Sequence, residues 1–212
     1  MRLPGRRRFP PSIRQLRRWR RVSWPTVVLI VAGALLLRER LITTPRATGD
    51  RERYHNQSFP VVRVVDGDTM DIDIPDLTTG KKTTRLRLWG VDTPEIAHGG
   101  TSDMHFGPEA TEFAKKTLLG HNVHLVLSPE KTRGKYGRLL VYVYDERGGT
   151  MFNETLVRQG LAYADARFPH PYKRAFMDIE KRARRQQRGL WATVQLEQMP
   201  KWRQRFESRD AP

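Results

Sequence analysis

The chain has 212 residues, enough for one compact domain plus an appendage, and 39 Lys and Arg against 23 Asp and Glu give a formal net charge of +16. A hydrophobic fraction of 38% beside 29% charged residues excludes a multi-span membrane protein and does not fit a chain disordered throughout. The absence of Cys excludes disulfide frameworks, thiolate metal sites and cysteine nucleophiles.

The positive charge is concentrated in the first fifty residues, which hold 12 Arg and only two acidic residues. Residues 1–21 form an Arg-rich tail with nine Arg and no acid. Residues 22–37 follow without a single charge and predict a hydrophobic helix. At 1.5 Å per residue this helix spans about 24 Å, which is short against a hydrocarbon core of about 30 Å.

Three interpretations of residues 22–37 are open: an uncleaved membrane anchor, a cleaved signal peptide and a buried core helix. A signal peptide usually ends in a small-x-small cleavage site, but Arg-Glu-Arg follows this apolar run, which favours the anchor. Because Arg-rich flanks stay in the cytoplasm, a single-pass anchor would place the C-terminal body outside it. The alternative localisation is secretion after signal cleavage. Residues 38–58, with Pro45 and Gly49, predict a linker.

From Phe59 onward the pattern changes to short strands and helices, which predict one domain over residues 59–192. Strands are predicted at 61–65, 69–74, 83–91, 123–127 and 139–144, with a short one at 151–152, and helices at 107–120, 153–160 and 171–188. This order predicts an α+β fold that is mainly β, an OB-type five-stranded β-barrel with three helices, preceded by the N-terminal hydrophobic helix. Residues 193–212 form a polar tail that predicts a surface helix or a loose end.

Carboxylates occur where two of the predicted strands end, at residues 66–69 (Asp-Gly-Asp-Thr) and 92–95 (Asp-Thr-Pro-Glu). Arg87 precedes the second turn, and Arg138 begins a later strand. Carboxylate oxygens suit a hard divalent cation, and the planar Arg fork suits a phosphate. Either turn alone is most often only a turn, but the combination indicates a phosphate-ester site.

Taken together, these motifs resemble those of the staphylococcal nuclease (thermonuclease-like) family. The similar segments occur in order at residues 65–69, 87–95, 107–110, 135–138, 153–160 and 189–191. The resemblance implies an OB-fold barrel and a Ca²⁺-dependent endonuclease that hydrolyses phosphodiester bonds of DNA or RNA by metal-assisted attack of water.

The resemblance also implies a role for each matching position. Asp68 and Asp92 would supply carboxylate ligands to Ca²⁺, and Thr93 its backbone carbonyl. Glu95 would be the general base on the attacking water. The arginines that bind the phosphate and its transition state would be Arg87 and Arg138, and the residues near the terminal phosphate of the nucleotide would be Lys135 and Tyr136.

The chain departs from the family at residues 161–169, where family members carry tyrosines that line the base pocket. Here Tyr163 or Phe168 could stack on a base, or both could be core aromatics. The alternative function is a catalytically inactive nucleic-acid-binding OB-fold module tethered to a membrane. The expected partners are DNA or RNA and, through residues 22–37, a membrane. No protein partner is inferred, and a monomer is expected.

Overall fold

The structure, a computed structural model, describes residues 49–97 and 102–209. The strands are Gln57–Asp66 (β1), Thr69–Ile72 (β2), Thr84–Leu88 (β3), Val91–Asp92 (β4), Asn122–Leu127 (β5), Leu139–Asp145 (β6), Thr150–Met151 (β7) and Tyr163–Ala164 (β8). The helices are Asp50–Tyr54 (α1), Gly107–Leu118 (α2), Phe152–Arg158 (α3), Lys173–Arg185 (α4) and Lys201–Arg209 (α5), with 3₁₀ turns at Gly189–Ala192 and Leu196–Gln198.

The Arg-rich tail at 1–21 and the hydrophobic segment at 22–37 lie outside the described residues. Among the helices that the structure does describe, none is long and apolar enough to cross a bilayer.

Five strands close into a barrel. β1 pairs antiparallel with β2 and β5, β2 pairs with β3, and β5 pairs with β6. The parallel pair β3–β6 completes the ring and sets Arg87 opposite Leu140. Two register shifts in β1, between Val61 and Arg63 and between Val64 and Asp66, bend the strand so that its two halves serve different neighbours. The predicted OB-type five-stranded barrel in a mixed α+β fold is confirmed.

Alternation along β3 decides which side chains reach the barrel surface. Thr84, Leu86 and Leu88 are buried in the barrel interior, whereas Arg85 and Arg87 are only partly covered on the other face. Successive side chains of a strand point to opposite faces. The apolar side chains therefore pack in the barrel, and Arg87 lies on its outer face.

The single strand predicted at 83–91 is wrong, since the chain breaks at Gly90. This residue has a φ of +80°, and a Cβ there would lie 2.5 Å from the ring of His170. Only glycine tolerates both conditions. The chain therefore leaves the barrel, and β4 pairs with β8 in a separate two-stranded sheet, with Asp92 opposite Tyr163.

The helix predicted at 153–160 begins one residue earlier, at Phe152, so Asn153 does not cap it. The N-cap of α3 is Met151, and Asn153 lies in the first turn, fully buried. Its side chain accepts a hydrogen bond of 2.9 Å from the Val143 backbone and donates to the carbonyls of Trp89 and Val141. Asn153 therefore fastens the helix to the barrel, because a buried amide needs partners for both of its ends.

Both ends of the described chain contribute more to the fold than their composition predicts. Within the predicted linker at 38–58, α1 buries Tyr54, and Asp50 pairs with Arg133 at 2.8 Å. Within the predicted tail at 193–212, α5 buries Arg203, which pairs with Glu180 at 2.6 Å. Of the two alternatives for the tail, the structure has a helix packed against the domain.

Candidate active site

Two carboxylate-bearing turns meet at one end of the barrel. In the turn between β1 and β2, the Asp68 backbone donates to the side chain of Asp66 at 3.0 Å. The backbone N–H of Thr93 donates to Oδ2 of Asp68 at 2.9 Å. A Cβ on Gly67 would lie 2.8 Å from Cγ2 of Thr93, so only a glycine lets the two turns approach this closely. The backbone of the second turn thus positions the carboxylate of the first.

Arg87 joins the two candidate metal ligands. Its guanidinium pairs with Asp68 through one nitrogen and with Asp92 through another. All three side chains are largely buried, with exposed fractions of 14%, 3% and 12% for Arg87, Asp68 and Asp92. The two carboxylates therefore flank one cationic group, as they would flank a bound cation.

Arg138 precedes β6 and lies beside this cluster. It donates to the hydroxyl of Thr69 at 3.2 Å. Burial lowers the pKa of Arg138, and the positive charge of Arg87 lowers it further. Within the described residues it has no carboxylate at ion-pair distance. A half-buried guanidinium without an acidic partner is suited to bind an anion such as a phosphate.

Glu95 lies in the electrostatic field of the same cluster, although the residue is exposed. Its partly desolvated position raises the pKa of Glu95, and the charges of Asp66 and Asp92 raise it further, while Arg87 and Arg138 lower it. Such a carboxylate accepts a proton more readily than an isolated one. The backbone of Glu95 is held by a hydrogen bond of 2.9 Å from the Met104 backbone N–H to the Glu95 carbonyl.

A cavity of about 360 Å³ opens next to the two arginines. Its lining includes Arg87, Arg138, Lys135, Tyr136, Trp89 and Phe168. Tyr136 is 76% exposed at the rim, with the ammonium of Lys135 5.8 Å from its ring centroid. The structure therefore brings together both predicted phosphate-binding arginines and both predicted nucleotide-contacting residues.

The two aromatic residues considered for base stacking have different positions. Tyr163 is 1% exposed and belongs to the protein interior. Phe168 is 42% exposed and stacks on Trp89 at a centroid distance of 5.3 Å. Phe168 and Trp89 together offer an apolar wall to the cavity, with Lys131 above both rings.

The oxygen donors fit a sparse site for a hard cation. Two buried carboxylates, on Asp68 and Asp92, lie on either side of one positive group, and Thr93 brings its backbone to the same turn. Hard divalent cations take such oxygens and complete their coordination with water and substrate oxygens. No group of three or more His, Asp or Glu residues that could hold a metal occurs in the described part of the chain.

Three further residues contact the cluster and were not predicted. Asp66 is buried, and burial raises its pKa. Trp202 donates a hydrogen bond of 2.6 Å from Nε1 to Oδ2 of Asp92, and Arg167 lies 3.4 Å from the same oxygen. Asp66 belongs to the first carboxylate turn, but no role was predicted for it. Nothing local in the sequence connects Trp202 with Asp92, which is 110 residues away.

Comparison with known proteins agrees with this geometry. The model of a family described as "Staphylococcal nuclease homologue" matches residues 85–193. The thermonuclease of Staphylococcus hyicus is 31% identical over 169 residues, which cover 78% of this chain and 95% of that protein. The thermonuclease of Staphylococcus intermedius is 38% identical over 136 residues, covering 64% and 76%. A micrococcal nuclease of Shigella flexneri is 33% identical over 150 residues, covering 68% and 78%. On this evidence the chain belongs to the staphylococcal nuclease family.

Proposed function

We propose that the protein is a Ca²⁺-dependent endonuclease that hydrolyses phosphodiester bonds of DNA or RNA by metal-assisted attack of water. The observation that carries the proposal is the arrangement of Arg87 and Arg138 on one cavity beside the paired carboxylates of Asp68 and Asp92. The names of the relatives, thermonuclease and micrococcal nuclease, support the same reaction.

The two arginines would bind the scissile phosphate. Arg138 has no acidic partner to give up within the described residues, whereas Arg87 exchanges a carboxylate for a phosphate oxygen. Attack of water adds negative charge to the phosphate oxygens, and preplaced guanidiniums stabilise that charge more in the transition state than in the ground state. Both groups remain protonated at working pH, even though the pKa of Arg138 is lowered.

Glu95 would take the proton from the attacking water. Its raised pKa improves its strength as a base. Asp68, Asp92 and the Thr93 carbonyl would hold the Ca²⁺, which when bound supplies Lewis-acid stabilisation of a phosphate oxygen. A sparse site of two carboxylates beside a phosphate also suits magnesium, so the choice of calcium rests on the family resemblance.

We also propose that residues 22–37 anchor the chain in a membrane with the nuclease domain outside the cytoplasm. The uncharged segment between an Arg-rich tail and Arg-Glu-Arg supports this placement. Sparse extracellular sites bind calcium at about 10⁻⁴–10⁻³ M, a concentration the cytosol does not reach.

A digestion assay tests the proposed reaction. Labelled single-stranded DNA, duplex DNA and RNA are incubated with the purified protein in Ca²⁺, in Mg²⁺ alone, and in Ca²⁺ after chelation. We expect cleavage in Ca²⁺, loss on chelation and recovery when Ca²⁺ is restored. Full activity in Mg²⁺ alone would reject the calcium site. Binding of nucleic acid without cleavage in any metal would instead support the inactive binding module.

A further inference from the structure

The carboxylate of Asp92 has a different partner for each oxygen. Oδ1 pairs with Arg87, whereas Oδ2 accepts the hydrogen bond of 2.6 Å from Nε1 of Trp202 and has a guanidinium nitrogen of Arg167 at the longer distance of 3.4 Å. Trp202 lies on α5, which follows the region matched by the family model, residues 85–193. A helix outside the matched region therefore contacts a proposed metal ligand directly.

The neighbour of Trp202 holds this helix in place. Arg203 is 3% exposed and donates to Glu180 at 2.6 Å and to Glu207 at 2.6 Å. The other carboxylate oxygen of Glu180 accepts a hydrogen bond of 2.9 Å from the backbone of Ala164 in β8. Since β8 pairs with β4, Arg203 ties α5 to the strand pair that carries Asp92.

The indole ring of Trp202 also stacks against an arginine. The guanidinium of Arg167 lies 4.2 Å from the ring centroid. Arg167 is itself held by two hydrogen bonds, of 2.8 and 2.7 Å, to the carboxylate of Asp165. A ring stacked in this way has less rotamer freedom and presents its N–H in one orientation.

We infer that Trp202 is a positioning residue that orients the carboxylate of Asp92 for metal binding. The inference rests on the proposed role of Asp92 as a calcium ligand. By holding Oδ2, the indole N–H leaves Oδ1 directed towards Arg87 and Asp68, where the cation is proposed to lie. The indole N–H donates to this carboxylate without adding a charge of its own.

The test compares three variants by calcium titration calorimetry at about pH 8, with melting temperatures measured in chelator. Trp202→Phe keeps an aromatic ring but has no donor. Trp202→His has a ring N–H at the matching position but lacks the benzene half, and is neutral at this pH. Trp191→Phe is the matched control, because Nε1 of Trp191 is buried without a hydrogen-bond partner in the described structure.

We expect Trp202→Phe to weaken calcium binding by about 10–100-fold, the usual cost of losing a hydrogen bond to a metal ligand. Trp202→His should retain more affinity than Trp202→Phe, and Trp191→Phe should bind like the wild type. Wild-type affinity in Trp202→Phe, or a weaker Trp202→His than Trp202→Phe, would overturn the inference and leave only packing. The rank order of the two Trp202 variants holds even if both melt at lower temperature.

The variant Asp92→Asn shows whether a negative result concerns Trp202 alone or the proposed calcium site itself. If the wild type binds calcium and Asp92→Asn does not, the calcium site stands, and the Trp202 variants decide the inference alone. If Asp92→Asn binds as tightly as the wild type, the proposed metal site is wrong, and the inference falls with it.

Discussion

The backbone N–H of Thr93 donates a hydrogen bond of 2.9 Å to the carboxylate of Asp68, although 25 residues separate the two. This bond joins the turn after β1 to the turn after β4. Because the donor is a backbone group, the path of the chain itself sets the distance between the two carboxylate-bearing turns.

Gly67→Ala should separate these turns. The added Cβ would lie 2.8 Å from Cγ2 of Thr93 and 3.0 Å from the Cβ of Ala110, so a neighbour must shift. We expect a loss of about 1–3 kcal/mol in the free energy of unfolding and a weaker calcium affinity. Urea denaturation and calcium titration measure the two effects. Gly148→Ala is the control, since its Cβ would make an ordinary contact of 3.5 Å.

Glu95→Gln should separate catalysis from binding. The amide keeps the shape of the side chain but cannot accept the proton, so turnover should fall by about 10²–10⁴-fold while the affinity for nucleic acid is retained. Glu109→Gln, on the exposed start of α2, is the control and should cleave normally. Equal turnover in both variants would remove Glu95 from the reaction.

Arg138→Lys tests the second guanidinium. Lysine keeps the charge but loses the two-pronged donor, so turnover should fall by about 10²–10³-fold if Arg138 contacts the transition state. Little change in melting temperature is expected, because no described acidic residue pairs with Arg138. The same substitution at the exposed Arg147, which pairs with Asp145, should leave turnover intact. Lost stability with unchanged turnover would give Arg138 a structural role only.

Arg133→Met should produce a pH-dependent loss of stability. Burial raises the pKa values of Asp50 and Asp76, but hydrogen bonds, first from Arg133 and then from neighbouring threonines, hold both below the ordinary value. A carboxylate whose folded pKa is lowered stabilises the protein above its unfolded pKa, and this contribution is lost as pH falls through the folded pKa.

We therefore expect Arg133→Met to cost about 1–3 kcal/mol at pH 7, because two carboxylates lose a charged donor. The cost should shrink as pH falls below about 4 and both carboxylates become protonated. Urea denaturation across that range measures it. A cost that does not change with pH would mean that Arg133 acts through packing alone.

Cell fractionation tests the proposed anchor at residues 22–37. An anchored chain stays with membranes through a high-salt wash, and protease added outside the cell digests its C-terminal body. The chain from residue 47 onward, expressed without the segment, is the control and should not sediment with membranes. Recovery of a soluble mature chain that begins near residues 35–50 would replace the anchor with a cleaved signal peptide.

Local patterns predicted the parts of the fold and site whose residues are adjacent in sequence. The strand predicted around Leu86 and Leu88 is present, and Arg87 lies on its outer face. The roles of the two carboxylate turns came from the family resemblance, and their contact through Gly67 and Thr93 agrees with it.

The features that the sequence did not predict depend on contacts between distant segments. At the break, the ring of His170, 80 residues further along the chain, leaves no room for a side chain on residue 90. The polar composition after residue 193 concealed a packed helix because its buried side chain is an arginine, satisfied by Glu180 and Glu207. No hydrophobic periodicity signals such a residue, since its burial requires partners from distant segments.

The parallel pairing of β3 with β6 determines at which stage of folding the candidate site is complete. Arg87 and Arg138 face one cavity only after this non-local pair has formed, and such pairs require loop closure before any contact stabilises them. A chain still under synthesis, with β6 not yet emerged, has neither Arg138 nor the strand beside which Arg87 is placed. Under the proposed function, closure of the barrel therefore separates synthesis from activity, because an unfinished chain lacks one of the two arginines proposed to bind the phosphate.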